Sequence, residues 1–142
     1  MARAFLVREI HCEANDEVGF LGRVVIALAQ QNVSISHLSA YTAGETGYLQ
    51  FIVREVDVDK AKEAVGYFIP KISVREALIV EFENKVGTLA PVAKLLGSNG
   101  IGINYVYGTS SDGFKIVGVF STTDNQKASE LINQDSGWAI NK

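Results

Sequence analysis

Glu17-Val18-Gly19-Phe20-Leu21 is the stretch on which the fold turns, because it recurs as Lys85-Val86-Gly87-Thr88-Leu89, 68 residues later. Each copy is a short loop running into an amphipathic helix, preceded by Asn and charged residues. At the same spacing Val24 matches Val92, Leu28 matches Leu96 and Ile35 matches Ile103. Agreement at one fixed offset marks a duplicated structural unit. The register slips only in the hairpin, where insertions and deletions cost little.

Outward from the first loop, Ala4 to Cys12 is rich in β-branched and aromatic residues and reads as a strand. Leu21, Val24, Val25, Leu28 and Ala29 then fall on one face of a helix. Asn32 is a suitable terminator, since it tolerates left-handed geometry. Val33 to Tyr41 is a strand, Thr42 to Gly47 a hairpin turn and Tyr48 to Val53 the returning strand. Asp57 and Asp59 open a second helix, with Ala61, Ala64, Val65 and Phe68 as its apolar face. Pro70 stops it, and Lys71 to Val74 is a short strand. The order is βαββαβ.

After a short linker near Val74-Arg75-Glu76 the pattern restarts. Ala77 to Phe82 is a strand. Leu89, Val92, Ala93 and Leu96 line a helix with Pro91 in its first turn, where a missing N–H costs little. Gly102 to Tyr107 and Phe114 to Phe120 form a hairpin across Ser110-Ser111-Asp112-Gly113. A helix from about Asn125 buries Ala128, Leu131 and Ile132, and Gly137-Trp138-Ala139-Ile140 reads as a last strand. The fold class is therefore α+β, two tandem ferredoxin-like βαββαβ sandwiches, each an antiparallel sheet with helices on one face. The expected domains are residues 1–74 and 75–142.

Composition narrows the function. The 142 residues carry a net charge of −3, which gives no electrostatic ground for a nucleic-acid partner. No apolar run approaches the roughly 20 residues that span a bilayer, and the N-terminus lacks signal-peptide character. No membrane partner is expected. The single cysteine, Cys12, excludes an intrachain disulfide, and a cytoplasmic location is the default. It reads as a small buried hydrophobe.

A loop ending in Gly at a helix start presents unpaired backbone N–H groups to an anion. A plain tight turn would look the same, and duplication alone would copy it. His37, aligned with Tyr105, reads as a packed strand residue. His11 has no Cys or carboxylate at a convincing zinc spacing. Tyr105 and Tyr107 alternate on one face as core or interface aromatics, or as a pocket wall. Arg23 and Lys85 flank the loops as surface cations. There is no nucleophile–base set, paired carboxylate or metal cluster by pattern, so no catalytic residue, metal site or cofactor is expected.

Asn84-Lys85-Val86-Gly87-Thr88-Leu89, the apolar helix after it and Gly100-Ile101-Gly102-Ile103-Asn104 resemble the ACT domain. Asn15-Asp16-Glu17-Val18-Gly19-Phe20-Leu21 and Asn32-Val33-Ser34-Ile35 carry the same resemblance less fully in the first half. Val18 and Val86 stand where that family commonly has Pro. The resemblance implies two tandem copies that bind an amino acid or other small molecule between paired domains. By position, backbone amides of Val18, Gly19, Phe20 and Leu21, and of Val86, Gly87, Thr88 and Leu89, would hold a carboxylate. Asn104 would bond the ligand's polar head, Ser36 stands at its place in the first half, and Asn15, Asp16 and Asn84 could meet an ammonium group. Asn104 makes the Gly87 loop the stronger candidate.

The expected function is thus a non-catalytic, regulatory, amino-acid-binding protein that acts on a partner enzyme or pathway protein. Edge strands make a homodimer the expected assembly. The alternatives are an oligomerisation module with degenerate pockets and a small enzyme with its site between the halves.

Overall fold

The structure, a computed structural model, describes residues 2–110 and 112–134. The elements in chain order are β1 (Arg3–Asn15), α1 (Phe20–Gln30), β2 (Ile35–Ala43), β3 (Thr46–Val53), α2 (Val58–Gly66), β4 (Lys71–Glu83), α3 (Leu89–Ser98), β5 (Ile103–Ser110), β6 (Lys115–Thr122) and α4 (Asn125–Gln134). A 3-10 turn, Glu55–Asp57, precedes α2. The chain divides into two compact units, residues 8–75 and residues 76–142 with 1–7. They are called the first and second repeat below. Each is an α+β sandwich of the expected ferredoxin-like class.

In the first repeat the strand order is β2-β3-β1-β4. β1 pairs antiparallel with β3, and β3 with β2. Ile10, Leu49 and Phe51 face Val24, Leu28 and Val65 across a closed apolar core. Alternation along each strand puts one set of side chains under the helices and leaves the other set on the opposite face. In the second repeat the order is β1-β4-β6-β5, with β4–β6 and β6–β5 antiparallel. Leu78, Val80, Phe120, Leu96 and Ile132 form its core, with Ala4 from the start of β1. Asn133 fastens that segment, its amide bonding both the N–H and the carbonyl of Ala4 at 2.8 Å.

The duplication extends to fine geometry. α1 ends with Val33 N–H on Leu28 O and Asn32 N–H on Ala29 O, and α3 with Ile101 N–H on Leu96 O and Gly100 N–H on Gly97 O. This is the Schellman arrangement, which needs a left-handed residue just past the helix. Asn32 (φ 58°) and Gly100 (φ 70°) supply it. A β-bulge interrupts each edge strand at matching places, between Ile35 and His37 and between Ile103 and Tyr105.

Three sequence expectations change. Val74-Arg75-Glu76 is not a linker, because β4 runs unbroken from Lys71 to Glu83. No Gly, Pro or turn signal interrupts that run. The face of α1 is narrower than its periodicity suggests: Val24 and Leu28 are buried, while Leu21 is exposed. The buried face is turned toward Phe20 and Ala27, which pack partly buried against the same core. Gly137 to Ile140, read as a strand, lies outside the described residues.

Candidate functional site

Gly19 (φ 88°) and Gly87 (φ 86°) both take the left-handed conformation that side chains resist. A Cβ at either would meet nothing within 4 Å, so the backbone angle alone explains the glycine. The same turn closes each loop: Phe20 N–H bonds Glu17 O at 3.1 Å, and Thr88 N–H bonds Lys85 O at 3.3 Å. Neither α1 nor α3 has a side-chain cap or an acidic residue in its first turn. The positive end of each helix is left without an anionic partner. In α1 the bond from Arg23 N–H to Gly19 O comes first, so Leu21 and Gly22 N–H lie ahead of it. In α3 the residue aligned with Arg23 is Pro91, which has no N–H to offer.

The side chains around the loops differ. Val18 and Val86 point fully into solvent. Asn15 and Asp16 are exposed, and Asp16 N–H bonds Glu45 O at 2.8 Å. Asn84 is tied to the β5–β6 hairpin, its amide donating to Gly113 O at 3.0 Å. Thr88 donates its hydroxyl backwards to Glu83 O at 2.7 Å. Lys85 pairs with Glu83 at 2.8 Å, which raises the lysine pKa and lowers the glutamate's. Ser36 and Asn104 sit at the two bulges. Ser36 donates to Ile52 O at 3.1 Å, whereas exposed Asn104 has a long contact of 3.4 Å to Ser121.

Beside Gly19 lies an open cleft of about 440 Å³, lined by Asn15, Glu17, Phe20 and Arg23 and by 66–70, the connection from α2 to β4. Arg23 stands 3.6 Å from Glu17 and stacks 4.9 Å above the Phe68 ring. Sequence reasoning did not find the 66–70 wall. Its signal was the aromatic pair Tyr67-Phe68 just ahead of Pro70.

The ACT domain family model matches residues 9–66. Over that segment the chain is similar to the ACT domain. The match falls on the first repeat, although the motif reads more fully in the second. No curated protein matches the sequence. Among solved structures, a Bacteroides thetaiotaomicron protein is similar at TM-score 0.84 and 23% identity, over 94% of this chain and 90% of that one. The regulatory subunit of aspartate kinase from Thermus thermophilus, in a ligand-free form, is similar at TM-score 0.71 and 18% identity, over 94% and 96%. That from Thermus flavus gives 0.69 and 16%, over 94% and 95%. At these identities the likeness speaks for the fold.

On the sheet face away from the helices, the two repeats have diverged. In the first, His11, Gln50 and Ser39 stand in one row across β1, β3 and β2. The matching row of the second is Ile79, Val119 and Tyr107. His11 Nε2 lies 2.8 Å from Oε1 of Glu9, which is wholly buried. Gln50 Oε1 is buried with no hydrogen-bond partner. Burial also pushes the His37 imidazole below its ordinary pKa, against the charge of Glu9, and holds the Cys12 thiol up at about 12. Cys12 is therefore a packed, unreactive group. Among the described residues no cluster of His, Cys, Asp or Glu is placed to hold a metal ion, and no helix is long and apolar enough to cross a membrane.

Proposed function

We propose that this chain is a non-catalytic regulatory protein that binds an amino acid, with the ligand carboxylate on the first-turn amides behind the Gly loops. One observation carries the reading: α1 and α3 both start behind a left-handed glycine with neither a cap nor a first-turn carboxylate. A ligand carboxylate supplies the acceptor and the negative charge that such a helix end lacks. The likeness in fold to aspartate kinase regulatory subunits supports a regulatory role. The proposed contacts are Asn15, Asp16 and Val18 to Leu21 in the first repeat, with Ser36, and Asn84, Val86 to Leu89 and Asn104 in the second.

The two loops are not equal. Asn104 favours the Gly87 loop, but Asn84 and Thr88 are bound elsewhere. We place the stronger site at Gly19. A thermal-shift screen of the common amino acids tests the reading. Ligand at a hundred times its Kd stabilises the native state by about 2.7 kcal/mol, so at least one amino acid raises Tm by several degrees. A flat response to all of them rejects it.

Exposed Val18, Leu21, Val86 and Leu89 favour a second reading, an oligomerisation module, and fit the expected homodimer. Light scattering that finds a dimer, together with the flat screen, selects it.

A further inference from the structure

Beyond the amino-acid site, we propose that the open sheet face of the first repeat binds a nucleoside or free nucleobase, which stacks on Tyr41 and donates an N–H to Gln50 Oε1. Tyr41 on β2 stands directly opposite Tyr48 on β3. Their rings stack with centroids 5.1 Å apart and planes 18° apart. Tyr41 is 50% exposed, so the pair forms a platform that solvent reaches. Strand alternation puts Ser39 and Gln50, two residues along the same strands, on the same face. Gln50 is 6% exposed, and its Oε1 has no hydrogen-bond partner. A buried acceptor without a donor is costly, so a ligand N–H that reaches it gains more than it would in water. A planar ring with a donor on its edge matches both features. Proteins hold unstacked bases in this way, the ring on an aromatic side chain and the edge on a hydrogen-bonding group.

The second repeat does not carry this arrangement. At the places of Tyr41 and Tyr48 it has Thr109 and Val117, and at that of Gln50 it has Val119. The same strand frame is built there without an aromatic pair or a buried amide at these positions, so the frame alone does not demand them. Charge narrows the ligand. Beyond Tyr48 the row ends on Glu13, whose carboxylate lies 3.2 Å from Lys71 Nζ. On the other side of Gln50 stands His11, bonded to the wholly buried Glu9. Carboxylates on this face disfavour a phosphate group. The class is therefore an uncharged nucleoside or base, not a nucleotide or a nucleic acid.

Calorimetric titration of the full chain with adenosine and cytidine tests this, using wild type, Tyr41→Leu and Gln50→Met, with circular dichroism to verify folding. Adenosine or cytidine binds wild type saturably, and Tyr41→Leu weakens the binding tenfold or more. The N,N-dimethylated nucleosides keep the ring and lose the amine donor. Wild type prefers the unmethylated nucleoside tenfold or more, and Gln50→Met binds the two alike. Loss of that preference is a readout that a purely structural Gln50 would not move. Saturable binding of neither nucleoside overturns the proposal. Equal Kd for wild type and Tyr41→Leu, or no preference for the amine in wild type, overturns it as well. Tighter binding of adenosine monophosphate than of adenosine overturns the uncharged class.

Discussion

Gln50 shows how far a single residue departs from the rule that buried polar atoms are bonded. It sits on the third strand of the first repeat, where the second repeat has Val119. Its Oε1 is enclosed without a donor, and such a group costs about 1–3 kcal/mol. Gln50→Met keeps the length and removes the orphan, so the expected result is a gain of about 1 kcal/mol in urea unfolding. A loss of stability would show that a donor reaches this oxygen. The sequence hid this feature because Gln50 lies between Leu49 and Phe51 in an ordinary alternating strand. The same limit held for Glu9 and His11, whose spacing of two puts them on one strand face but does not reveal that the carboxylate is buried. The loop glycines, by contrast, were legible as paired turns ahead of helices, and the structure adds the reason for them, a positive φ in both copies.

At the scale of elements, two glycines at the C-terminal end of α3 make the point in opposite senses. Gly97 lies in the last turn with space for a Cβ, and the first repeat already has Ala29 there. Gly97→Ala therefore stabilises by about 0.5–1 kcal/mol. Gly100, three residues on, holds the left-handed position at φ 70° with equal space around it. Gly100→Ala is destabilising by about 1–2 kcal/mol through strain alone. Equal signs for the two in chemical denaturation would refute the backbone account of this helix end. Helices, strands and the Asn32 terminator were readable because each depends on local pattern. The unbroken β4 was not, since Val74-Arg75-Glu76 breaks neither propensity nor alternation and the repeat boundary suggested a joint. The cleft was missed for a related reason: its wall comes from 66–70, about 50 residues from the loop it faces in the chain.

Over the whole molecule, one frame has been used twice and furnished differently. The backbone of the loop, the helix ends and the bulges repeat closely. The side chains at the loops and on the open sheet face do not, and chemistry separates the repeats where geometry does not. The central claim is that first-turn amides of α1 hold a ligand carboxylate. Amide chemical-shift mapping by NMR, with the amino acid that most raises Tm, tests it directly. The account predicts saturating shifts centred on Gly19, Phe20, Leu21 and Gly22, with Tyr67 and Phe68 following. Saturable binding that leaves those amides unmoved would contradict it.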